Sequence, residues 1–198
     1  FFRVGTLIMS MTYQQFVVHA TDLKKHSDAI DDGWNFCEYR CPANESCVKY
    51  LVKKKIQKMN ESSLKSDRSE NKIPIVCEYH ILYNPSYSCP DVFFNMWYTD
   101  GKLLSLEHVW SLVHYFIKES VVHDKWNAIT QEMHPFSSTP FFRLHPCKNT
   151  HVLEMLGFSS KNNYEFNPLI AWLSTISPLI GLEIHLSYGN KDSKVEFT

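Results

Sequence analysis

Apolar positions recur along this chain with two periods, and each change of period marks an element boundary. Over residues 12–31, Phe16, Ala20, Leu23 and Ile30 return at near-helical spacing behind Thr12, a capping residue. This predicts an amphipathic helix, ended by the turn signal Asp31-Asp32-Gly33. Residues 34–39 read as a strand, Cys41-Pro42-Ala43-Asn44 as a turn, and residues 46–56 as the returning strand. The polar stretch that follows lacks aromatic and β-branched residues and predicts a loop within Gln57–Lys72. Residues 73–83 are rich in β-formers with poor alternation, as in a strand covered on both sides. Asn84-Pro85-Ser86-Tyr87-Ser88 reads as a turn, residues 92–99 as the next strand, and Asp100-Gly101 as another turn. Ser105 starts a second helix whose apolar face is Leu106, Trp110, Val113, Phe116 and Ile117.

Residues 126–144 keep neither period and are broken by Pro135 and Pro140, so they read as mostly irregular. Residues 149–156 suggest a short helix. Asn167-Pro168 combines a cap with a first-turn proline, and Leu169, Trp172, Leu173 and Ile176 supply a buried face up to Pro178. The apolar residues 181–188 are expected to cover a sheet edge. Residues 1–10 and 191–198 are expected to be flexible tails of a single domain over residues 11–190. The order helix, strands, helix, irregular segment, helices predicts an α+β fold: an antiparallel sheet flanked by helices.

Composition narrows the class. A chain of 198 residues with 44% apolar content can bury roughly 70% of its unfolded surface in one domain. A net charge of −1 gives no general attraction to nucleic acid. Residues 1–9 are mostly apolar but too short to cross a bilayer, and no cleavage signal follows them, so a membrane protein is not expected. Six irregularly spaced cysteines do not form a disulfide scaffold and point to the cytoplasm. Cys37, Cys41 and Cys47 lack a Cys-x-x-Cys knuckle and read as structural thiols, with no metal expected. The lysines at 49, 53, 54, 55 and 58 read either as a solvated strand edge or as a docking patch for an acidic partner.

The candidate chemistry sits at Pro140-Phe141-Phe142-Arg143-Leu144-His145-Pro146-Cys147. Pro146 fixes its own φ and keeps His145 extended, which places Cys147 where a strand-like run breaks. A thiol there is either an exposed nucleophile or a small buried hydrophobe. No carboxylate lies between Glu132 and Glu154, while His134, Arg143, His145, Lys148 and His151 do. Positive neighbours favour the thiolate, which attacks carbonyl carbons.

The step Leu144-His145-Pro146-Cys147-Lys148 resembles the active-site motif of the autophagy branch of ubiquitin-like-conjugating enzymes. Further matches are Glu78-Tyr79-His80-x-Leu82-Tyr83, Asp100-Gly101-x-x-Leu104-x-Leu106, Trp126-x-x-Ile129-Thr130-Gln131, His134-Pro135, Trp172-Leu173-Ser174, Gly181-Leu182 and Leu186-Ser187-Tyr188. The set resembles the branch that modifies a protein lysine more than its lipid-modifying sibling, which carries a long acidic insertion. The resemblance implies a ubiquitin-conjugating-type fold and a thioester on Cys147. It implies three partners: an activating enzyme (autophagy-related protein seven), a ubiquitin-like modifier (autophagy-related protein twelve) and an acceptor protein (autophagy-related protein five). No cofactor is implied, because the modifier arrives already activated.

Ordinary ubiquitin-conjugating enzymes carry His-Pro-Asn before the cysteine. Here the echo is His134-Pro135-Phe136, which leaves the oxyanion role without its asparagine. Asn149 is a candidate by proximity, and His145 a candidate for positioning or polarising the thiol. The aromatic hairpin from Ile73 to Thr99 is the expected acceptor-docking surface, by strand addition at an exposed edge near Tyr87. The rival readings are the lipid-modifying sibling, a catalytically silent binding module of this fold, and a cysteine hydrolase.

Overall fold

The first helix forms where the spacing places it. A computed structural model describes residues 11–43, 45–60, 72–110, 129–145 and 167–189, and helix α1 runs Tyr13–Ala29. Its start is a reciprocal capping box. The Gln15 amide donates to Thr12 Oγ1 at 3.2 Å, and the Thr12 amide to Gln15 Oε1 at 2.8 Å. Phe16, Ala20 and Leu23 point from it into the core.

Six strands follow: β1 Asn35–Arg40, β2 Cys47–Asn60, β3 Lys72–Asn84, β4 Cys89–Tyr98, β5 Ile129–Met133 and β6 Pro140–Leu144. They form one antiparallel sheet in the order β1-β2-β3-β4-β6-β5. Helix α2, Pro168–Ile176, is capped by Asn167, whose Oδ1 accepts from the amides of Leu169 and Ile170. The same side chain donates to the His19 carbonyl at 2.8 Å and ties α2 to α1. Residues 106–110 are helical, which agrees with a helix beginning after Ser105. The α+β class and the antiparallel sheet are as expected.

Both helices lie on one face of the sheet. Phe16, Leu23, Trp172 and Leu173 pack there against Leu51, Ile75, Tyr79, Ile81, Phe94 and Phe142. Each fully buried apolar side chain of this size stabilises by roughly 1.5–3 kcal/mol. Gly181 closes the same core. Its φ is +61°, and a Cβ there would meet Met96 Cε at 3.4 Å. Its carbonyl accepts from the buried Tyr79 hydroxyl at 3.0 Å.

Four expectations are corrected. Residues 129–133 and 140–144 are strands, not irregular; Pro140 is tolerated because it stands at a strand's first residue. Residues 57–60 and 72, expected in a loop, are strand, Gln57 to Asn60 pairing with Ile75 to Lys72, and residues 61–71 lie outside the described residues. Residues 181–188 pair with no strand: Tyr188 donates to Asp32 Oδ2 at 2.9 Å, and the segment packs on the core instead of along an edge. The lysine run is not an open docking patch. Strand alternation divides it between the faces, and Lys49, Lys53, Lys54 and Lys55 pair with Glu38, Asp32, Glu78 and Glu183. The predicted helix over 149–156 and the tails at 1–10 and 191–198 lie outside the described residues.

Candidate active site

β6 is the strand that leads to the His-Pro-Cys step. Phe142 and Leu144 turn toward the helices, and Phe141 and Arg143 toward the opposite face. The strand ends at Leu144, followed by half-buried His145. Cys147 and Asn149 lie outside the described residues.

β6 is held on one side by β5, through five residue pairs from Ile129↔Leu144 to Met133↔Pro140. On the other side only Phe93↔Arg143 and Phe94↔Phe142 pair it with β4. Side chains make up the difference. Arg143 Nη2 donates to Asp91 Oδ2 at 2.6 Å, and Nε lies 3.0 Å from the same oxygen and 3.2 Å from Oδ1. Its Nη1 donates to Glu132 on β5. The guanidinium also stacks 5.2 Å over the Phe93 ring. Burial opposes its charge, but the two carboxylates outweigh that and raise its pKa further. Asp91 is almost fully buried and also accepts from Asn84 Nδ2 at 2.8 Å.

The sequence window without carboxylates therefore misleads. In space Arg143 is matched by two acids from other strands, so it is not a spare positive neighbour for the thiol.

His134 is distant from the end of β6 that His145 follows. It stands at the far end of β6, past Pro140, and four strand steps of ~3.3 Å separate Pro140 from Leu144. Its Nδ1 accepts from the amides of Phe136 at 3.3 Å and Ser137 at 3.2 Å. The ring proton must then be on Nε2, which donates to His80 Nδ1 at 2.9 Å. His80 Nε2 in turn donates to Glu78 Oε1 at 2.9 Å. Burial and the neighbouring His80 push the His134 pKa down to about 4, so the His134 ring is neutral near pH 7. Burial disfavours the Glu78 carboxylate, but His80 and Lys54 hold its pKa below the usual value.

Phe136, standing where an asparagine was sought, stacks on Tyr39 at 4.8 Å and meets Tyr50 at 5.2 Å. His134-Pro135-Phe136 is thus a turn bolted to β1 and β2, and no oxyanion group.

Next to Tyr87 the hairpin expected to dock the acceptor pairs only with itself, Leu82, Tyr83 and Asn84 meeting Asp91, Pro90 and Cys89. Elsewhere β3 and β4, the hairpin from Ile73 to Thr99, are inner strands. β6 covers Phe93 and Phe94. Met96 and Tyr98 are covered by the Leu104 amide, which donates to the Met96 carbonyl, and by the Lys102 carbonyl, which accepts from the Tyr98 amide. Tyr79, Phe93 and Phe94 are core, and Tyr87 is exposed in the turn between strands. Sequence reasoning missed Asp91 and Glu132. The one available signal was Asp91 itself, a lone acid inside the apolar run of β4.

Residues 15–187 match the family described as "Autophagocytosis associated protein, active-site domain". The chain is 32% identical to the ubiquitin-like-conjugating enzyme ATG10 of Homo sapiens over 213 aligned positions, 93% of this chain and 94% of that relative. It belongs to the ATG10 family. The namesake enzyme of Arabidopsis thaliana is 32% identical over 117 positions, 57% of this chain and 52% of that one. That of Dictyostelium discoideum is 25% identical over 120 positions, 56% of this chain and 52% of that one. As an ATG10-family member, the chain is a transferase of the ubiquitin-like-conjugating type that works in autophagy with a ubiquitin-like modifier and an acceptor. Among the described residues of this ATG10-family chain no helix is long and apolar enough to cross a membrane, and no group of three or more His, Cys, Asp or Glu could hold a metal ion.

Proposed function

We propose that Cys147 carries the modifier as a thioester and passes it to a lysine of an acceptor protein. The observation that carries this reading is the position of β6. An internally packed strand ends at Leu144, followed by His145, one proline before a cysteine, in a chain of a family defined by its active-site domain.

The chemistry has two exchanges. The Cys147 thiolate attacks the carbonyl carbon of the modifier's C-terminus, held as a thioester on the activating enzyme, and that enzyme's thiolate leaves. The acceptor amine then attacks the new thioester and loses its proton. The Cys147 thiolate leaves, and an isopeptide bond remains. His145 stands next to the break as a positioning residue. The partners are those the resemblance implied: autophagy-related protein seven as activating enzyme, twelve as modifier and five as acceptor. The place of action is the cytoplasm.

A reconstituted reaction tests the choice of acceptor. The full chain is incubated with activating enzyme, modifier and nucleotide, then offered either the acceptor protein or vesicles containing phosphatidylethanolamine. A reductant-stable conjugate on the protein alone supports the reading. Conjugation to the lipid instead would assign the chain to the lipid-modifying chemistry.

A further inference from the structure

The strand that leads to the candidate nucleophile is joined to β4 by the shortest ladder in the sheet. β3 and β4 share ten residue pairs, whereas β4 and β6 share two. Yet β6 is an inner strand, and a one-residue slip would turn Phe142 and Leu144 out of the core and Arg143 into it. Something besides the ladder must fix its register.

Arg143 meets that need. Its planar fork engages Asp91 through Nε and Nη2 while Nη1 reaches Glu132, so one side chain binds the strands on both sides of its own. Asp91 is a rigid anchor: it is 2% exposed and is held from behind by Asn84. Asn84 Oδ1 itself accepts from the amides of Ser86 and Tyr87. The direction of the clamp matters as well. Phe93 is opposite Arg143, and in this antiparallel register Asp91 lies two residues further toward the end of β6 where His145 follows. The guanidinium therefore braces the end of the strand that leaves toward the cysteine.

We propose that Arg143 is a positioning residue for transfer: clamped between Asp91 and Glu132, it sets where β6 ends and hence where the His145-Pro146-Cys147 segment begins. This rests on the reading of Cys147 as the nucleophile. Lysine cannot reproduce the clamp, because a single ammonium offers no planar fork to span two carboxylates on different strands. Displacement of about 1 Å at a reacting centre costs on the order of a hundredfold in rate.

The test uses the full chain with activating enzyme, modifier, nucleotide and acceptor. It compares Arg143→Gln, Arg143→Lys, Asp91→Asn and the milder Glu132→Gln, whose side chain is already 39% exposed. Four quantities are read: kcat and KM for transfer, the rate of Cys147 alkylation by iodoacetamide, and the melting temperature. Positioning predicts that kcat falls between about tenfold and a hundredfold in Arg143→Gln and Asp91→Asn. KM and alkylation should stay close to the parent, Arg143→Lys should be intermediate, and Glu132→Gln should lose a few-fold in kcat. Two results overturn the inference: unchanged kcat in all four, or kcat and alkylation falling together in step with melting temperature. A separate control guards the underlying reading. If Cys147→Ser still forms a reductant-sensitive adduct, the nucleophile is elsewhere and both fall. If Cys147→Ser loses it while the Arg143 variants behave as the parent, only the positioning role is refuted.

Discussion

The two ends of the sheet are held by different physics. From β1 to β4, long ladders of six, ten and ten residue pairs carry the strands, and two helices bury one face. At β5 and β6 the strands have five residues each; Ile129, Phe142 and Leu144 reach the same core, but the ladder to β4 has two pairs, and directional contacts add to it: Arg143 to Asp91, Asn95 Nδ2 to the Pro140 carbonyl, and a histidine pair under the connecting turn. Burial is forgiving of small changes in side-chain shape and direction, whereas charge clamps and neutral histidine bonds are not. The proposed nucleophile follows in sequence from the end where the directional contacts gather.

The contrast predicts a graded set of responses. The largest belongs to the apolar end. Trp172→Ala removes a fully buried ring from the centre of the helix-covered face and should cost about 3–5 kcal/mol in urea unfolding. A loss below about 1 kcal/mol would mean that the helices are not what holds this face.

Next comes the one buried ion pair at that same end. Lys53, with 4% of its side chain exposed, donates to Asp32 at 2.6 Å, and Asp32 also accepts from Tyr188. Asp32→Asn leaves that ammonium with no full counter-charge and should destabilise by about 3 kcal/mol. A neutral result would blur the distinction between the two ends.

Acid should act first on the histidine end. The folded pKa of His134 is depressed to about 4 from an ordinary 6.5. As pH falls below 6.5 the unfolded ring takes a proton that the folded ring refuses, so the unfolded state binds more protons. The stabilisation is therefore complete above about pH 6.5 and is lost progressively down to about pH 4. After allowance for solvent screening, the difference should be on the order of 2 kcal/mol. Urea titrations at pH 7 and pH 4.5 would measure it, and His134→Gln should flatten the slope. Equal slopes in both proteins would place the acid sensitivity elsewhere.

The smallest effect is expected at the exposed pair of Lys49 with Glu38, whose side chains are 46% and 50% exposed. Lys49→Ala should change stability by no more than about 0.5 kcal/mol.

The same contrast explains what could be read from the chain. Helix α1 and the β1–β4 meander announce themselves through local period, caps and turns, because each element carries its own instruction: Thr12 with Gln15, Asn167 with Pro168, Asp100 with Gly101. β5 and β6 do not. Phe141 and Phe142 are consecutive apolar residues that face opposite sides, so five residues show no alternation, and Pro140 imitates a break. Gln57, Lys58 and Asn60 hid the end of β2 for a related reason, since pairing with β3 decides that segment. The clamp was harder still. Arg143 stands 52 residues from Asp91 along the chain, and a count of charges along the sequence could not show that Asp91 would meet it. Asp91, an acid in a run of aromatic and β-branched residues, was the legible clue that a buried cation had to meet it.

The segment leaving β6 is proposed to deliver a nucleophilic thiol at Cys147. The most direct measurement is a non-reducing gel of the chain incubated with activating enzyme, modifier and nucleotide, run for the parent and for Cys147→Ser. The account predicts a modifier adduct that thiol reductant removes from the parent. In Cys147→Ser it predicts a slower-forming, reductant-resistant oxyester, because a hydroxyl is the weaker nucleophile and its ester the less reactive one. An unchanged, reductant-sensitive adduct on the serine variant would contradict it.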